Sequence, residues 1–214
     1  MMTVMNLLLI RHAVNDWVGE RLAGWTPGVH LNDEGRAQAE ALVQRLAEVP
    51  LAAIYSSPLE RTLQTAQPLA RARGMDIAVR PALGETRYGE WTGRTLKELK
   101  DEALWPVVQV YPTGVRFPGG ESMPEVQARL VAELDGIRDA HPGQTVAVFS
   151  HSDPIKLAAA SYAGLPTDLF QRLTIGPASV TVFTFTQFGP RLICLNHTES
   201  LPTFKTETGE SEAT

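Results

Sequence analysis

Met5-Asn6-Leu7-Leu8-Leu9-Ile10-Arg11-His12 is a short, nearly continuous apolar run that stops at two basic residues. A run without polar alternation is typical of a strand that is buried on both faces in a parallel sheet. The next predicted element is a helix that is capped within Asn32-Asp33-Glu34-Gly35 and ended by Pro50. A strand over Leu51–Tyr55 follows, and then a helix from Pro58 to about Arg73 that closes at Gly74. Strand, helix, strand and helix in this order predict a right-handed parallel α/β sheet.

The second half of the chain continues this alternation after a long irregular segment. Residues 84–120 are rich in Gly, Trp and Pro, so we expect long loops there around a short helix near Leu96–Ala103. The other predicted elements are a short strand over Ile77–Val79, a helix over Glu125–Ala140, a third buried strand over Thr145–Phe149, a helix over Pro154–Ala163, and a closing hairpin of Val180–Thr186 and Arg191–Asn196 that turns at Gly189-Pro190. No repeat or low-complexity linker divides the chain, which favours one domain.

The composition also fits a single folded domain. The chain has 214 residues, of which 43% are hydrophobic and 20% charged, and this is the composition of neither a disordered nor a membrane protein. The net charge of −5 argues against binding to nucleic acid or to an anionic membrane, since either needs a broad positive surface. Without a charged leader or an apolar run of about 20 residues, we expect a soluble cytoplasmic protein. The single cysteine, Cys194, rules out an internal disulfide and is expected to be a buried core thiol.

Basic side chains follow three of the predicted buried strands. Arg11-His12 ends the first strand and Ser150-His151 follows another, so both imidazoles are expected at the edge where parallel strands present their carboxyl ends. A third strand leads into residues 56–61, which places Arg61 in the first turn of its helix. An arginine beside a helix N-terminus favours an anion. Alone, each histidine is more often a structural residue and Arg61 a solvated one, but together the three predict an anion site.

Five motifs of this sequence occur in the order found in a known family. They are Leu9-Ile10-Arg11-His12, Tyr55-Ser56-Ser57-Pro58-Leu59-Glu60-Arg61-Thr62, Leu83-Gly84-Glu85 with Gly89-Glu90-Trp91-Thr92-Gly93, Pro118-Gly119-Gly120-Glu121-Ser122, and Ser150-His151. The chain resembles the histidine phosphatase superfamily, also called the phosphoglycerate mutase-like family, over about residues 6 to 196. The resemblance implies a single-domain three-layer α/β/α sandwich with a mostly parallel sheet. It assigns residues 1–202 to a catalytic domain, and the acidic residues 203–214 are expected to form a flexible tail.

The resemblance also implies a role for each matching residue. His12 would accept the phosphoryl group, Arg11, Arg61 and His151 would surround the phosphate oxygens, and Glu85 would be the general acid for the leaving alcohol. These roles make physical sense, because phosphoryl transfer depends on an in-line nucleophile and on positive donors for the equatorial oxygens. His12 must be neutral, which neighbouring arginines favour, and the pKa of Glu85 must rise through burial. No metal ion or other cofactor is implied.

The phosphate-binding loop departs from the family pattern at several positions. Ala13 and Ser152 stand where glycine commonly follows each histidine, and Asn15 replaces a serine or threonine. None of these changes removes a charged group, and Asn15 and Ser152 are predicted substrate contacts. Gly24 and Arg21 are also predicted substrate contacts, with a surface salt bridge as an equal alternative for Arg21.

Asp153 forms a His-x-Asp pair with His151. We interpret it as the N-cap before Pro154 and not as a metal ligand.

Hydrolysis is the favoured reaction over two alternatives. Mutase relatives carry a long insertion before the helix that here begins near Glu125, whereas this chain has a modest loop that includes Trp105–Phe117. A shorter lid leaves a phosphoenzyme open to water, which favours a phosphatase over a phosphoglycerate mutase-type phosphotransferase. A non-catalytic phospho-ligand-binding protein is disfavoured because no charged catalytic residue has been lost.

The expected partner is a small phosphorylated metabolite. A sugar phosphate, a phosphoglycerate and a nucleoside-type monoester such as ribazole phosphate remain open. The oligomeric state is open too, although homodimers are frequent in the family.

Overall fold

The computed structural model describes residues 4–199, so the predicted tail at 203–214 lies outside the described residues. Its six-stranded sheet has the order β3-β2-β4-β1-β5-β6. The strands are β1 (Met5–Arg11), β2 (Leu51–Ser56), β3 (Ile77–Val79), β4 (Thr145–Ser150), β5 (Val180–Thr186) and β6 (Gly189–His197). Strands β1 to β4 pair in parallel, and β5 pairs antiparallel with both β1 and β6. The prediction of a mostly parallel sheet is confirmed.

Helices cover both faces of this sheet. They are α1 (Asp33–Arg45), α2 (Glu60–Arg73), α3 (Leu96–Leu99), α4 (Trp105–Val110), α5 (Met123–Ala140) and α6 (Ser152–Ala163). On one face, Ile10 and Phe149 pack with Leu42 of α1 and other residues of α1 and α2. On the other face, apolar residues of β1 and β4 pack with Leu134 of α5 and Ile155 of α6. Because β1 and β4 bury side chains on both faces, they lack polar alternation. The three-layer α/β/α prediction is confirmed.

A third apolar cluster lies within the irregular segment of the chain. Tyr88, Trp91, Val108 and Phe117 pack with Met123 and other apolar residues of α5, α6 and their neighbours. The prediction of one short helix near Leu96–Ala103 is wrong in detail, because α3 and α4 are two separate short helices.

Three other local predictions need correction. Pro58 lies before α2, whose N-cap is Leu59. The closing hairpin turns at residues 187–188, and Pro190 is instead part of β6. This edge strand tolerates a proline, which lacks the N–H group that a central strand would use. Cys194 packs against the apolar cluster that contains Ile10, Leu42 and Phe149, but it is only partly buried and not a fully buried thiol.

The N-cap interpretation of Asp153 is wrong as well. His151 occupies the N-cap position of α6, and Asp153 lies in the first helical turn. Helix α6 starts two residues earlier than predicted, which is why the aspartate falls inside it.

Among the helices of residues 4–199, none combines the length and the apolar composition that a membrane span requires.

Candidate active site

The register of the parallel strands brings the predicted site residues to one edge of the sheet. Arg11 pairs with Ser150 between β1 and β4, so His12 and His151 follow their strands side by side. Their ring centroids are 5.3 Å apart. Ser56 of β2 pairs with Phe149 of β4, which places the following Ser57 beside them. The structure therefore brings the two imidazoles together at the carboxyl ends of β1 and β4.

The His12 side chain is buried and held in one tautomer. Its Nδ1 lies 2.8 Å from the carbonyl oxygen of Ala13. Because a carbonyl oxygen can only accept, Nδ1 carries the proton and Nε2 keeps its lone pair. Burial lowers the pKa of His12 well below 6.5, and the positive charges of Arg61 and Arg11 lower it further. The imidazole is therefore neutral at pH 7, with a free nucleophilic nitrogen.

Arg61 is a fully buried cation in the first turn of α2. Its Nη2 donates to the carbonyl oxygen of Gly24 at 2.8 Å, and Arg11 Nη1 donates to that of Ile175 at 2.7 Å. Within residues 4–199, Arg61 Nε, Arg61 Nη1 and Arg11 Nε are buried without a hydrogen-bond partner. Buried donors of a charged group are costly to leave unpaired, so these atoms favour an anion with several oxygens.

His151 is buried behind these groups and is also neutral. Its Nε2 lies 2.8 Å from Ser57 Oγ, and its Nδ1 lies 3.9 Å from Glu85 Oε2. Burial lowers the pKa of His151 well below 6.5, with Arg61 and His12 adding to the effect. Ser57 Oγ accepts a long hydrogen bond from Leu59 N at 3.4 Å and can donate its own proton to His151 Nε2. In that tautomer His151 Nδ1 is a neutral donor.

Glu85 has the raised pKa that its predicted role requires. Burial raises the pKa to about 7, and the nearby charge of Asp153 adds to the rise, while Arg61 and Arg11 oppose it. Oε1 accepts from the backbone N of Thr86 at 2.9 Å. A carboxyl group with this pKa exists in both protonation states near neutral pH, as a general acid and base must.

The backbone of Glu85 is held by two residues that sequence reasoning did not identify. Trp25 Nε1 donates to the Glu85 carbonyl oxygen at 2.6 Å, and Arg129 Nη2 donates to the same oxygen at 2.9 Å. Arg129 lies in the middle of α5, where nothing in the local sequence marks it.

Most of the predicted site residues line one cavity of about 150 Å³. Those that do are Arg11, His12, Asn15, Arg21, Arg61, Glu85 and Ser152. His151 is buried beneath the cavity. Gly24 is not among the lining residues, but its carbonyl oxygen accepts a hydrogen bond from Arg61 Nη2. Arg21 is exposed at the rim and donates to the carbonyl oxygen of Gly93 at 3.0 Å. Tyr88 and Asp153 also line the cavity and were not predicted as site residues.

No group of three or more His, Cys, Asp or Glu side chains that could hold a metal ion occurs within the described part of the chain.

Comparisons with known proteins find matches over most of the chain. The model of the histidine phosphatase superfamily (branch 1) matches residues 7–198. The chain is 31% identical over 211 residues to phosphoserine phosphatase 1 of Hydrogenobacter thermophilus, with 95% of this chain and 98% of the relative covered. It is 30% identical over 187 residues to a probable phosphoglycerate mutase of Cronobacter sakazakii, with 86% of each covered. A solved mycobacterial glucosyl-3-phosphoglycerate phosphatase matches with a TM-score of 0.83 at 26% identity, with 91% of this chain and 99% of that chain covered.

Proposed function

The chain belongs to the histidine phosphatase superfamily, and on this premise we propose that it hydrolyses phosphoric monoesters of small metabolites through a phosphohistidine on His12. The observation that carries the proposal is the state of His12. The imidazole is neutral, its Nδ1 is hydrogen-bonded to the carbonyl oxygen of Ala13, and its Nε2 is unprotonated. Beside it lie the buried guanidinium groups of Arg11 and Arg61, which have unpaired donors. This combination of a free nucleophile and an anion site is what phosphoryl transfer needs.

In the first step, His12 Nε2 attacks the phosphorus atom in line with the leaving oxygen. The N–P bond forms as the P–O bond breaks, and Glu85 gives its proton to the departing alkoxide. Arg11, Arg61 and His151 Nδ1 donate to the equatorial oxygens, where negative charge is spread in the transition state. The cavity supplies this positive charge from its own side chains, so the proposed route uses no metal ion.

In the second step, water attacks the phosphohistidine. Glu85, now a carboxylate, accepts the proton of the water, and the N–P bond breaks to release orthophosphate and neutral His12. One carboxyl group can serve as acid and then as base because its pKa of about 7 makes both states accessible near neutral pH.

The substrate is proposed to be a small phosphomonoester with further polar groups. Two of the relatives are named as phosphatases of metabolites, phosphoserine and glucosyl-3-phosphoglycerate. Asn15 and Ser152 are the proposed additional contacts to the phosphate. Arg21 at the rim is the proposed contact to a second anionic group, such as a carboxylate.

A mutase is the second candidate, and the Cronobacter sakazakii relative is the observation that favours it. The two reactions differ in where the phosphoryl group goes. A phosphatase releases orthophosphate from the phosphohistidine, whereas a mutase returns the group to a bound sugar acid. Quantifying orthophosphate against isomerised product from a phosphoglycerate separates them.

Hydrolysis of p-nitrophenyl phosphate in excess EDTA tests the proposal directly. The parent should be active with the chelator present, and His12→Ala should lose that activity. His30→Ala is the matched control, because His30 is exposed and outside the cavity. Acid-labile, base-stable labelling of the parent but not of His12→Ala would support the phosphohistidine. Equal activity of the parent and His12→Ala would refute it.

A further inference from the structure

Asp153 is an acidic side chain in a cavity that otherwise selects an anion. It lines the same cavity as Arg11 and Arg61, and 18% of its side chain is exposed. The two proposed reaction steps do not use it. The negative charges of a carboxylate and a bound phosphate repel each other. Phosphate binding therefore does not explain why Asp153 lies in this cavity.

The hydrogen bonds of Asp153 leave capacity for a ligand. Tyr88 donates its hydroxyl proton to Asp153 Oδ2 at 2.9 Å. Lys156 Nζ lies 3.7 Å from Asp153 Oδ1, beyond hydrogen-bond distance, and donates instead to Gln171 Oε1 at 3.1 Å. An ionised carboxylate offers about four acceptor sites. Asp153 therefore has acceptor sites that neither Tyr88 nor Lys156 occupies.

A purely structural role explains less of this arrangement. An acid in the first turn of α6 stabilises the helix through the macrodipole, but it does so equally well when it faces solvent. Asp153 instead lines the cavity, where it raises the pKa of Glu85 and faces the charges of Arg11 and Lys156. The position is explained if the substrate brings a positive charge of its own.

We propose that Asp153 binds an ammonium group of the substrate, so that the site selects phosphomonoesters of amino alcohols and hydroxy amino acids. The phosphate then lies against Arg11 and Arg61, the ammonium group against Asp153, and a carboxylate, where present, against Arg21 at the rim. This proposal rests on the proposed function and specifies its substrate class.

The test compares two substrates that differ in one group. O-phospho-L-serine carries an ammonium group where 3-phospho-L-glycerate, which has the same configuration, carries a hydroxyl group. The parent should have the higher kcat/KM for O-phosphoserine, and Asp153→Asn should lower the ratio of the two kcat/KM values by about 10- to 100-fold, the worth of a hydrogen bond to a charged group. Because both substrates use the same Glu85, any change in its pKa affects both and cancels in the ratio.

Two matched variants control for the substitution itself. Asp139→Asn makes the same change at a side chain that is 69% exposed on α5, and it should leave the ratio unchanged. Asp153→Glu keeps the carboxylate and should restore part of the preference. Calorimetric binding of both substrates to His12→Ala and to His12→Ala/Asp153→Asn measures recognition without turnover, so a variant with low activity still gives an answer.

The outcomes separate this inference from the proposed function. A parent that prefers 3-phospho-L-glycerate, or an Asp153→Asn variant with the parent's substrate ratio, overturns the role of Asp153 and leaves the phosphatase intact. Hydrolysis that survives in His12→Ala overturns the proposed function itself.

Discussion

Glu85→Gln is expected to stabilise the protein at alkaline pH while removing its proposed acid. The Glu85 side chain is buried, and its pKa of about 7 lies above the ordinary value of 4.5. Below 4.5 the carboxyl is protonated in both the folded and the unfolded chain, and glutamine mimics that neutral form. As the pH rises from 4.5 to 7, the unfolded chain releases this proton first. Since the folded state then binds more protons, the stability of the parent falls with rising pH.

The gain in stability of Glu85→Gln at pH 8 follows from the interval between the ordinary pKa of a glutamate and that of Glu85 in the folded chain. Each pH unit between the two pKa values contributes about 1.4 kcal/mol, so the interval from 4.5 to about 7 corresponds to about 3 kcal/mol. Glutamine does not ionise, and its Oε1 can still accept from the backbone N of Thr86 as Glu85 does. The variant should therefore match the parent near pH 4.5 and exceed its unfolding free energy by about 3 kcal/mol at pH 8.

Urea unfolding of both proteins at several pH values between 5 and 8 measures this difference. Glu48→Gln, at an exposed position in the turn between α1 and β2, is the control and should differ from the parent by an amount that does not change with pH. The titrations of His12 and His151 contribute to the parent and the variant alike, and so they largely cancel. A difference between parent and Glu85→Gln that does not change with pH, or a variant that is less stable at pH 8, would show that burial does not raise the pKa of Glu85.

The other predictions concern the anion site, the acid and a helix cap. Orthophosphate at 100 times its Kd should stabilise the parent by about 2.7 kcal/mol, seen as a rise in Tm by calorimetry. Arg61→Met should lose most of this rise because it removes two of the three unpaired buried guanidinium nitrogens. Glu85→Gln should lower kcat on alkyl monoesters by about 10²- to 10⁴-fold and far less on p-nitrophenyl phosphate, whose leaving group needs no proton; steady-state kinetics on both substrates measures this. Ser122→Ala should lower the unfolding free energy in urea by about 1 kcal/mol, because it removes the side chain that caps α5.

The sequence was sufficient to predict the sheet and the residues at the ends of its strands. Strands β1 and β4 are buried on both faces, so their apolar runs mark them with little ambiguity. Parallel strands present their carboxyl ends at one edge, which is why His12 and His151 could be placed together although they are far apart in the chain. The short helices α3 and α4 were poorly predicted, because they have too few residues for a helical period and are held by packing in the third apolar cluster.

The surroundings of the site were less predictable than its members. Ser57 orients His151, and Arg129 holds the carbonyl oxygen of Glu85, but both contacts join segments that are distant in sequence. The inward position of Asp153 depends on where α6 begins. Because α6 starts two residues before the predicted start at Pro154, Asp153 lies in its first turn and lines the cavity instead of capping the helix. Periodicity and spacing locate elements, whereas such contacts depend on how the elements pack.

The charges of the cavity impose two requirements that conflict. The proposed nucleophile His12 must lose its proton and the proposed acid Glu85 must keep one, yet the arginines that lower the pKa of His12 also lower that of Glu85. Asp153 opposes them at Glu85, but the largest influence on both groups is burial. Burial disfavours the charged form of either group, so it lowers the pKa of a base and raises that of an acid. A cavity at the buried ends of central strands meets both requirements at once, which ties the proposed chemistry to the architecture of the sheet.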